Sequence, residues 1–251
     1  MFRYRDPEDA LKVSVVVPAF NEEKLIVQSL GAIRAAMGAF AERSWESELI
    51  VCDNNSTDRT AELARSAGAK VVFEPVNQIA RARNRGAEAA GGDWLIFIDA
   101  DSYPEKGLFE NVADIIQTGK FIYGGSAIKL QGGRIAAAMV TSLWNSISRL
   151  TKYAAGSFIF CETAAFRKIG GFDNGLFASE EIDLSQRLKR LARETGKKAI
   201  ILRQHPLVTS SRKMELYSGR EYVRFLARVA YSRRRTMRDR AACYLWYDGR
   251  R

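Results

Sequence analysis

Two aspartates, Asp99 and Asp101, carry the clearest chemical signal in this sequence. They directly follow Trp94–Ile98, an apolar run that predicts a buried strand, and side chains two residues apart on an extended segment point the same way. Two carboxylates held together repel each other unless a proton or a cation bridges them. Oxygen ligands suit Mg²⁺ or Mn²⁺, so we favour a metal site over the alternative, in which Asp99 caps a helix and Asp101 lies in solvent.

Two other apolar runs, residues 13–17 and 49–52, are also followed by groups that could bind a ligand. Pro18 and Glu22 come after the first run, and Asp53 comes directly after the second. A carboxylate at Asp53 can accept a hydrogen bond from a nucleobase or from a ribose hydroxyl. The polar residues that follow it are also good helix caps, and the two interpretations are compatible.

The segment of residues 79–86 is rich in arginine, with Arg81, Arg83 and Arg85 spaced two apart. On a helix, Arg81 and Arg85 share a face whereas Arg83 points elsewhere. One face could therefore approach a diphosphate while the other is solvated. The alternative is that these charges only face solvent, as charges on a helix usually do.

The candidate residues after the predicted strands can meet only if the fold brings the strand ends together. The hydrophobic pattern of the first half of the chain predicts such a fold. Four short apolar strands alternate with four helices, at residues 13–17, 22–37, 49–52, 57–67, 70–73, 77–90, 94–98 and 104–118. Continuously apolar strands indicate a parallel sheet that is covered on both faces. Ligands of such sheets bind beyond the carboxyl ends of the strands, where the acidic residues would lie.

The second half of the chain has a less regular pattern. Strands are predicted at residues 121–129, 157–161 and 198–202, and helices at residues 135–153, 179–194 and 215–235. We expect one α/β catalytic domain over residues 1–202, made of a ligand-binding half (1–119) and an acceptor-side half (120–202). A basic helical extension, residues 203–251, would pack on it or next to it.

The composition narrows the classes of protein. The chain has 251 residues, of which 47% are hydrophobic, so it can bury a large core and is not a disordered protein. Three widely spaced cysteines exclude a cysteine zinc site, and the single histidine excludes sites with two histidine ligands. Such cysteine usage fits a reduced, cytoplasmic compartment.

The positive charge is concentrated at the C-terminal end. Residues 1–202 have a net charge of +1, and residues 203–251 have a net charge of +9. A basic tail can bind the inner face of an anionic membrane, where each basic residue contributes about 1 kcal/mol. The alternative, which we favour, is a solvated helix face with residues 243–247 packed on the domain. No run of about 18 apolar residues predicts a membrane span.

Six motifs together make this sequence resemble the family 2 glycosyltransferases of the GT-A fold. They occur in the family's order at residues 15–23, 53–58, 82–86, 99–101, 170–173 and 180–184. The resemblance implies a Rossmann-like, mostly parallel central sheet with helices on both faces and a smaller C-terminal acceptor-side part. It also implies metal-dependent transfer of a sugar, with inversion, from a nucleotide-diphosphate-sugar to a hydroxyl acceptor. A UDP-sugar is the favoured donor.

The resemblance also assigns the donor-side residues. The nucleotide-sugar would be bound by Pro18, Ala19, Glu22, Asp53, Arg83, Asp99 and Arg212. The cofactor, Mn²⁺ or Mg²⁺, would be held by Asp101 and Asp99, and His205 could complete the site as a late histidine does in some GT-A enzymes. The alternatives are a structural hydrogen bond for His205 and, for Arg212, a solvated loop of residues 209–213.

On the acceptor side, residues 180–181 occupy the place where the family usually has Glu-Asp, the second residue being the general base. Glu181 stands at that second position, and the choice between Glu180 and Glu181 stays open because a glutamate reaches one methylene further. Asp183 would brace the helix. The acceptor, a lipid or a saccharide, would bind around residues 153–163, which include Glu162.

Two other functions fit the sequence less well. A sugar-phosphate nucleotidyltransferase would need a glycine-rich loop with a basic residue after the first strand, where this chain has residues 18–22, Pro-Ala-Phe-Asn-Glu. A nucleic-acid-binding protein would use the basic tail, but a body with a net charge of +1 offers no broad basic face. We therefore expect a nucleotide-sugar as the partner and no nucleic acid.

Overall fold

An eight-stranded sheet with helices on both faces organises the protein in the computed structural model, which describes residues 10–132, 135–154, 156–212, 221, 236–243 and 247. The strands are β1 (Lys12–Ala19), β2 (Glu46–Asp53), β3 (Lys70–Phe73), β4 (Trp94–Ile98), β5 (Ser102–Tyr103), β6 (Phe121–Gln131), β7 (Phe158–Glu162) and β8 (Lys198–Ser210). The helices are α1 (Ile26–Ala41), α2 (Thr60–Ser66), α3 (Ile79–Glu88), α4 (Lys106–Gln117), α5 (Ile135–Thr151), α6 (Thr163–Lys168) and α7 (Glu180–Glu194).

The strands lie in the order β3-β2-β1-β4-β7-β6-β8-β5. β1 pairs in parallel with β2 and β4, β2 pairs in parallel with β3, and β6 with β8. β7 runs antiparallel to both β4 and β6, and β5 runs antiparallel to β8. The predicted α/β fold with a mostly parallel sheet is confirmed. The antiparallel strands were not foreseen, because an apolar run does not encode the direction of a strand.

Both faces of the central strands are buried, which explains why their sequences are continuously apolar. Along β1, Val15 and Val17 face a core that includes Leu30 of α1 and Phe109 of α4. Val16, between them, faces a second core formed with α3 and α7. Polar residues that follow such strands emerge only at the strand ends, so the fold collects them at one edge of the sheet.

β8 is longer than the sequence predicts. The apolar run ends near Leu202, but the strand continues to Ser210, with an irregular stretch between Leu202 and Leu207 in its register against β6. The strand can resume because its second half pairs with β5, where Thr209 lies opposite the first β5 residue. Thr209 and Ser210 therefore belong to a strand, which corrects the predicted loop of residues 209–213. The division expected at residue 202 falls inside this strand.

Two short elements of the structure were not predicted from the sequence, and one predicted helix falls almost entirely outside the described residues. The short helix α6 and the two-residue strand β5 are too brief for a hydrophobic period to emerge. The predicted helix of residues 215–235 lies, apart from Glu221, outside the described residues. Among the described residues, no helix combines the length and apolar character that crossing a membrane requires.

The described residues of the C-terminal extension pack against the body. The N–H of Phe177 donates to the carbonyl oxygen of Met237 at 2.7 Å, and Arg238 forms an ion pair with Asp173 at 3.0 Å. Cys243 is completely buried. The described residues around Met237 and Arg238 therefore lie against residues 173–177.

The close approach of α3 to β1 depends on a glycine. A Cβ atom added at Gly86 would lie 2.3 Å from Cγ1 of Val16, whereas one added at Gly31, on the outer side of α1, would meet nothing within 4 Å. We expect Gly86→Ala to lower the free energy of unfolding by about 1–3 kcal/mol, because the added methyl group would overlap Val16 and displace packed core side chains. Gly31→Ala should raise it by up to about 1 kcal/mol. Urea unfolding of both variants tests this; equal effects would contradict the packing described.

Candidate active site

The carboxyl ends of β1, β2 and β4 meet at one edge of the sheet and border a groove, the strand-end groove. Parallel neighbouring strands deliver the residues after each strand to the same edge, as the sequence predicted. The groove is lined by Pro18, Ala19, Phe20, Glu22, Asn54, Asn77, Ile79, Asp99, Ala100, Asp101 and Tyr247.

A second cavity, the inner cavity, adjoins the groove and has a volume of about 320 Å³. Ile79 and Asp99 line both spaces, so a ligand in the groove can reach into the cavity. The inner cavity is lined by Ile79, Arg83, Asp99, Ile128, Trp144, Gly156, Ser157, Phe177, Ser179, Glu180 and Glu181.

Arg83 lies between the groove and the cavity and is only 1% exposed. Its Nη1 contacts Oε1 of Glu180 at 2.7 Å, and its Nη2 contacts Oδ1 of Asp99 at 3.0 Å. Nη2 also donates to the carbonyl oxygen of Gly156 at 2.8 Å, and the guanidinium lies over the ring of Phe172. Burial alone would lower the pKa of Arg83, but the two carboxylates outweigh burial and raise it.

The sequence turns Arg83 inward because the same side of α3 carries small residues. Ala80 and Ala87, one turn before and after Arg83, pack in the core with Val16 of β1, and Gly86 lets the helix approach this strand closely, so Arg83 is carried into the interior. Arg81 and Arg85 point away from the interior. Arg81 contacts Gln78, the residue before α3, and Arg85 pairs with Glu88 of the same helix. The predicted separation of the arginines into two faces is therefore confirmed. The structure gives Arg83 carboxylate partners and does not place it on the wall of the strand-end groove.

Glu180 and Glu181 begin α7 and have different surroundings. Glu180 is buried and paired with Arg83, whereas Glu181 is half-buried and faces the inner cavity. Burial, and then the negative charge of Glu180, raise the pKa of Glu181 to about 8. Ser179 precedes the pair with a φ of 61°, a left-handed conformation that serine seldom adopts. Such a turn fixes the direction in which the two carboxylates leave the helix.

Asp99 and Asp101 both line the strand-end groove, as predicted. Asp101 is 4% exposed, and its Oδ1 lies 3.5 Å from the hydroxyl of Thr209 on β8. His205 lies elsewhere: its ring is over Gly107 at the start of α4, with Nδ1 3.6 Å from a carboxylate oxygen of Glu105. The histidine reaches this place because β8 continues beyond residue 202. Its position beside Glu105 gives no geometric support to a role as metal ligand.

The two aspartates fit a divalent cation that takes its other ligands from elsewhere. In the part of the chain that the structure describes, no three His, Cys, Asp or Glu side chains are grouped closely enough to hold a metal ion. Mg²⁺ and Mn²⁺ accept one or two carboxylates when substrate phosphates and water complete the shell. The donor set of Asp99 and Asp101 is therefore suited to a cation that arrives with a phosphorylated ligand.

Glu22 and Arg212 join the ends of β1 and β8 through an ion pair at 2.5 Å. Glu22 is 4% exposed and lines the groove, so Arg212 reaches the rim of the same space. Asp53, in contrast, accepts a hydrogen bond from the N–H of Ser56 at 3.2 Å, within the turn that follows β2. This bond is not a helix cap, because α2 begins only at Thr60. Asn54, which follows Asp53, forms the groove wall at this strand end.

Several residues of the site escaped the sequence analysis. Trp144 and Phe177 in the inner cavity have no motif around them and resemble ordinary core residues. Tyr247 lines the groove although it lies 168 residues from Ile79, whose N–H contacts its hydroxyl. Of the expected acceptor region, Gly156 and Ser157 line the inner cavity, whereas Glu162 pairs with Lys197.

Comparison with known proteins identifies the family. Residues 14–169, well over half of the chain, match the family model described as Glycosyl transferase family 2. This chain belongs to glycosyltransferase family 2.

Among the curated relatives of this family 2 chain, glycosyltransferase AglE of Haloferax volcanii is 29% identical over 188 residues, which are 70% of this chain and 60% of AglE. The 4,4'-diaponeurosporenoate glycosyltransferase of Staphylococcus haemolyticus is 36% identical over 104 residues, 39% of this chain and 26% of that protein. The chain thus spans less than two thirds of either relative.

Solved structures of similar fold support the GT-A architecture. The mannosyltransferase PcManGT from Pyrobaculum calidifontis, in complex with GDP-Man and Mn²⁺, superposes with a TM-score of 0.68 at 18% identity, covering 92% of this chain and 63% of PcManGT. S. aureus TarS (residues 1–349) in complex with UDP superposes with a TM-score of 0.61 at 24% identity, covering 80% and 60%. At these identities the likeness establishes the fold.

The buried ion pairs of Arg83 make a testable contribution to stability. Arg83→Met should lower the free energy of unfolding by about 3–5 kcal/mol, because it leaves the carboxylates of Asp99 and Glu180 without their cation. The matched control is Arg85→Met on the same helix, whose exposed pair with Glu88 should contribute less than about 1 kcal/mol. Denaturant unfolding at pH 7 measures both changes. A loss below 1 kcal/mol for Arg83→Met would contradict the structure.

Proposed function

We propose that this chain transfers a sugar from a nucleotide-diphosphate-sugar to an acceptor hydroxyl, with inversion and with Glu181 as the general base. The observation that carries the proposal is the division of labour between adjacent glutamates. Glu180 is held in an ion pair by Arg83, and Glu181 faces a cavity next to the groove with a raised pKa. A carboxylate with a pKa near neutrality, beside a space for an acceptor, suits proton abstraction.

The strand-end groove would hold the nucleotide. Pro18, Ala19 and Glu22 form its wall after β1, and Asp53 with Asn54 closes the neighbouring strand end. We favour a UDP-sugar, and the fold likeness to proteins in complex with UDP and with GDP-Man supports a nucleoside diphosphate of one of these kinds. Arg212, tied to Glu22 at the rim, would be the cation nearest to the diphosphate.

Asp101 and Asp99 would hold Mn²⁺ or Mg²⁺, which offsets the negative charge of the departing diphosphate when it is bound. The fold likeness to proteins in complex with Mn²⁺ supports this choice. His205 is not needed in this ligand set, because the side chain lies beside Glu105.

The inner cavity would hold the acceptor. Trp144 and Phe177 offer apolar surface, which suits the apolar face of a sugar ring or a lipid-linked group. The acceptor oxygen would attack the anomeric carbon as the bond from that carbon to the diphosphate oxygen breaks, and its proton would pass to the carboxylate of Glu181. Attack from the side opposite the leaving group inverts the anomeric centre.

Arg83 would act as a positioning residue in this scheme. Its guanidinium is held by Asp99, Glu180 and the carbonyl of Gly156, so little of it remains to grip a diphosphate. It fixes Asp99 on the donor side and Glu180 on the acceptor side, and so sets the distance between the groove and the base.

A change at the base separates catalysis from binding. Glu181→Gln should slow nucleotide release from the bound nucleotide-sugar by about 100- to 10,000-fold, because the amide cannot take the proton, while the dissociation constant of the donor changes little. The matched control, Asp183→Asn, alters the carboxylate paired with Arg187 and should retain transfer. Normal turnover by Glu181→Gln would contradict the assignment of the base.

The pH profile of the parent protein provides the second readout for this prediction. The base is active as a carboxylate, so a pKa raised to about 8 means that kcat/KM should rise as the pH rises through about 8 and fall towards pH 6. Residual turnover by Glu181→Gln should lack this step. A flat profile for the parent would contradict the role of Glu181.

A change at the metal pair tests the donor side. Calorimetric titration of the parent protein with a panel of nucleotide-sugars should show binding that requires Mn²⁺ or Mg²⁺. Asp101→Asn should weaken the cation-dependent part of that binding, because it removes one of the two carboxylates assigned to the ion. The control, Asp114→Asn, changes an exposed carboxylate paired with Arg43 and should bind the donor normally. Equal cation dependence in Asp101→Asn would overturn the assigned site.

A further inference from the structure

The C-terminal extension supplies one side chain to the strand-end groove. Tyr247 lines the groove together with Asn77 and Ile79, on the side of β2 and β3. Asp99 and Asp101 follow β4, on the opposite side of β1. Under the proposed function, on which this inference rests, the side of Tyr247 is the side that receives the nucleoside.

The position of Tyr247 is fixed by contacts on several sides. Its ring meets the ring of Phe177 edge to face at 5.6 Å, and the guanidinium of Arg240 lies 5.7 Å from its ring centre. Arg240 also contacts the side-chain oxygen of Asn77 at 3.4 Å, so the extension is tied to the same wall of the groove. Because these contacts hold the ring, the hydroxyl group has a defined place.

Within the part of the chain that the structure describes, the hydroxyl of Tyr247 accepts one hydrogen bond and donates none. Its oxygen accepts from the N–H of Ile79 at 3.4 Å, at the first residue of α3. Among the described residues, no acceptor is present for its own proton. Burial raises the pKa of Tyr247, so this proton is retained at neutral pH. A phenol in this state is a hydrogen-bond donor at the wall of a ligand groove.

We propose that Tyr247 is a donor-binding residue whose hydroxyl donates a hydrogen bond to an oxygen of the nucleoside half of the nucleotide-sugar. The C-terminal extension is then part of the donor site. A nucleobase carbonyl and a ribose hydroxyl both offer the required acceptor. The contact links the start of α3 to the bound nucleoside, because the same hydroxyl accepts from Ile79.

The test compares Tyr247→Phe, which removes only the hydroxyl, with Tyr247→Ala and with Tyr123→Phe. Tyr123 also has a buried hydroxyl, which donates to the carbonyl oxygen of Lys152 at 2.7 Å, and the residue lines neither the groove nor the inner cavity. The dissociation constants of UDP and of UDP-sugars are measured by calorimetry on the full chain with Mn²⁺. Thermal unfolding of each variant reports on the fold.

We expect Tyr247→Phe to weaken UDP and UDP-sugar binding alike by about fivefold to tenfold, tenfold being about 1.4 kcal/mol, with little change in the unfolding temperature. Tyr123→Phe should bind like the parent. Parent-like binding by Tyr247→Phe overturns the inference while the proposed function stands, even if Tyr247→Ala unfolds. Weaker UDP-sugar binding with unchanged UDP binding overturns the assignment to the nucleoside. A parent that binds no nucleotide overturns both proposals.

Discussion

A buried guanidinium holds the two halves of this site together. The interior accepts the charge of Arg83 because Asp99 and Glu180 lie within 3.0 Å of its nitrogens. The three residues come from α3, from the end of β4 and from the start of α7, which the sequence separates by up to 97 positions. Because Arg83 is the partner of both carboxylates, its guanidinium links the groove to the cavity.

The same ion pairs distinguish two glutamates that are adjacent in sequence. Arg83 takes Glu180 as its partner, and Glu180 then acts as a fixed negative charge beside Glu181. Together with burial, that charge raises the pKa of Glu181 to about 8. A residue that looks interchangeable with its neighbour in the sequence thereby acquires the property that a general base needs.

The sequence predicts what depends on local pattern and misses what depends on distant pairing. Apolar runs located β1, β2 and β4, and their ends placed Asp99 and Asp101 in one groove, because parallel strands share an edge. Helical spacing separated Arg83 from Arg81 and Arg85. The inward direction of Arg83 and its partners did not follow from that spacing, because pairing with Glu180 needs the tertiary fold. Trp144 and Tyr247 were missed for the same reason. The place of His205 was missed because β8 continues beyond the apolar residues that predicted it.

The most direct test of the account is a crystal structure of the protein with UDP and Mn²⁺. The account predicts that Arg83 keeps its contacts with Asp99 and Glu180, that the cation lies at Asp99 and Asp101, and that the carboxylate of Glu181 faces the inner cavity. A structure in which Arg83 leaves both carboxylates to grip the diphosphate would contradict it.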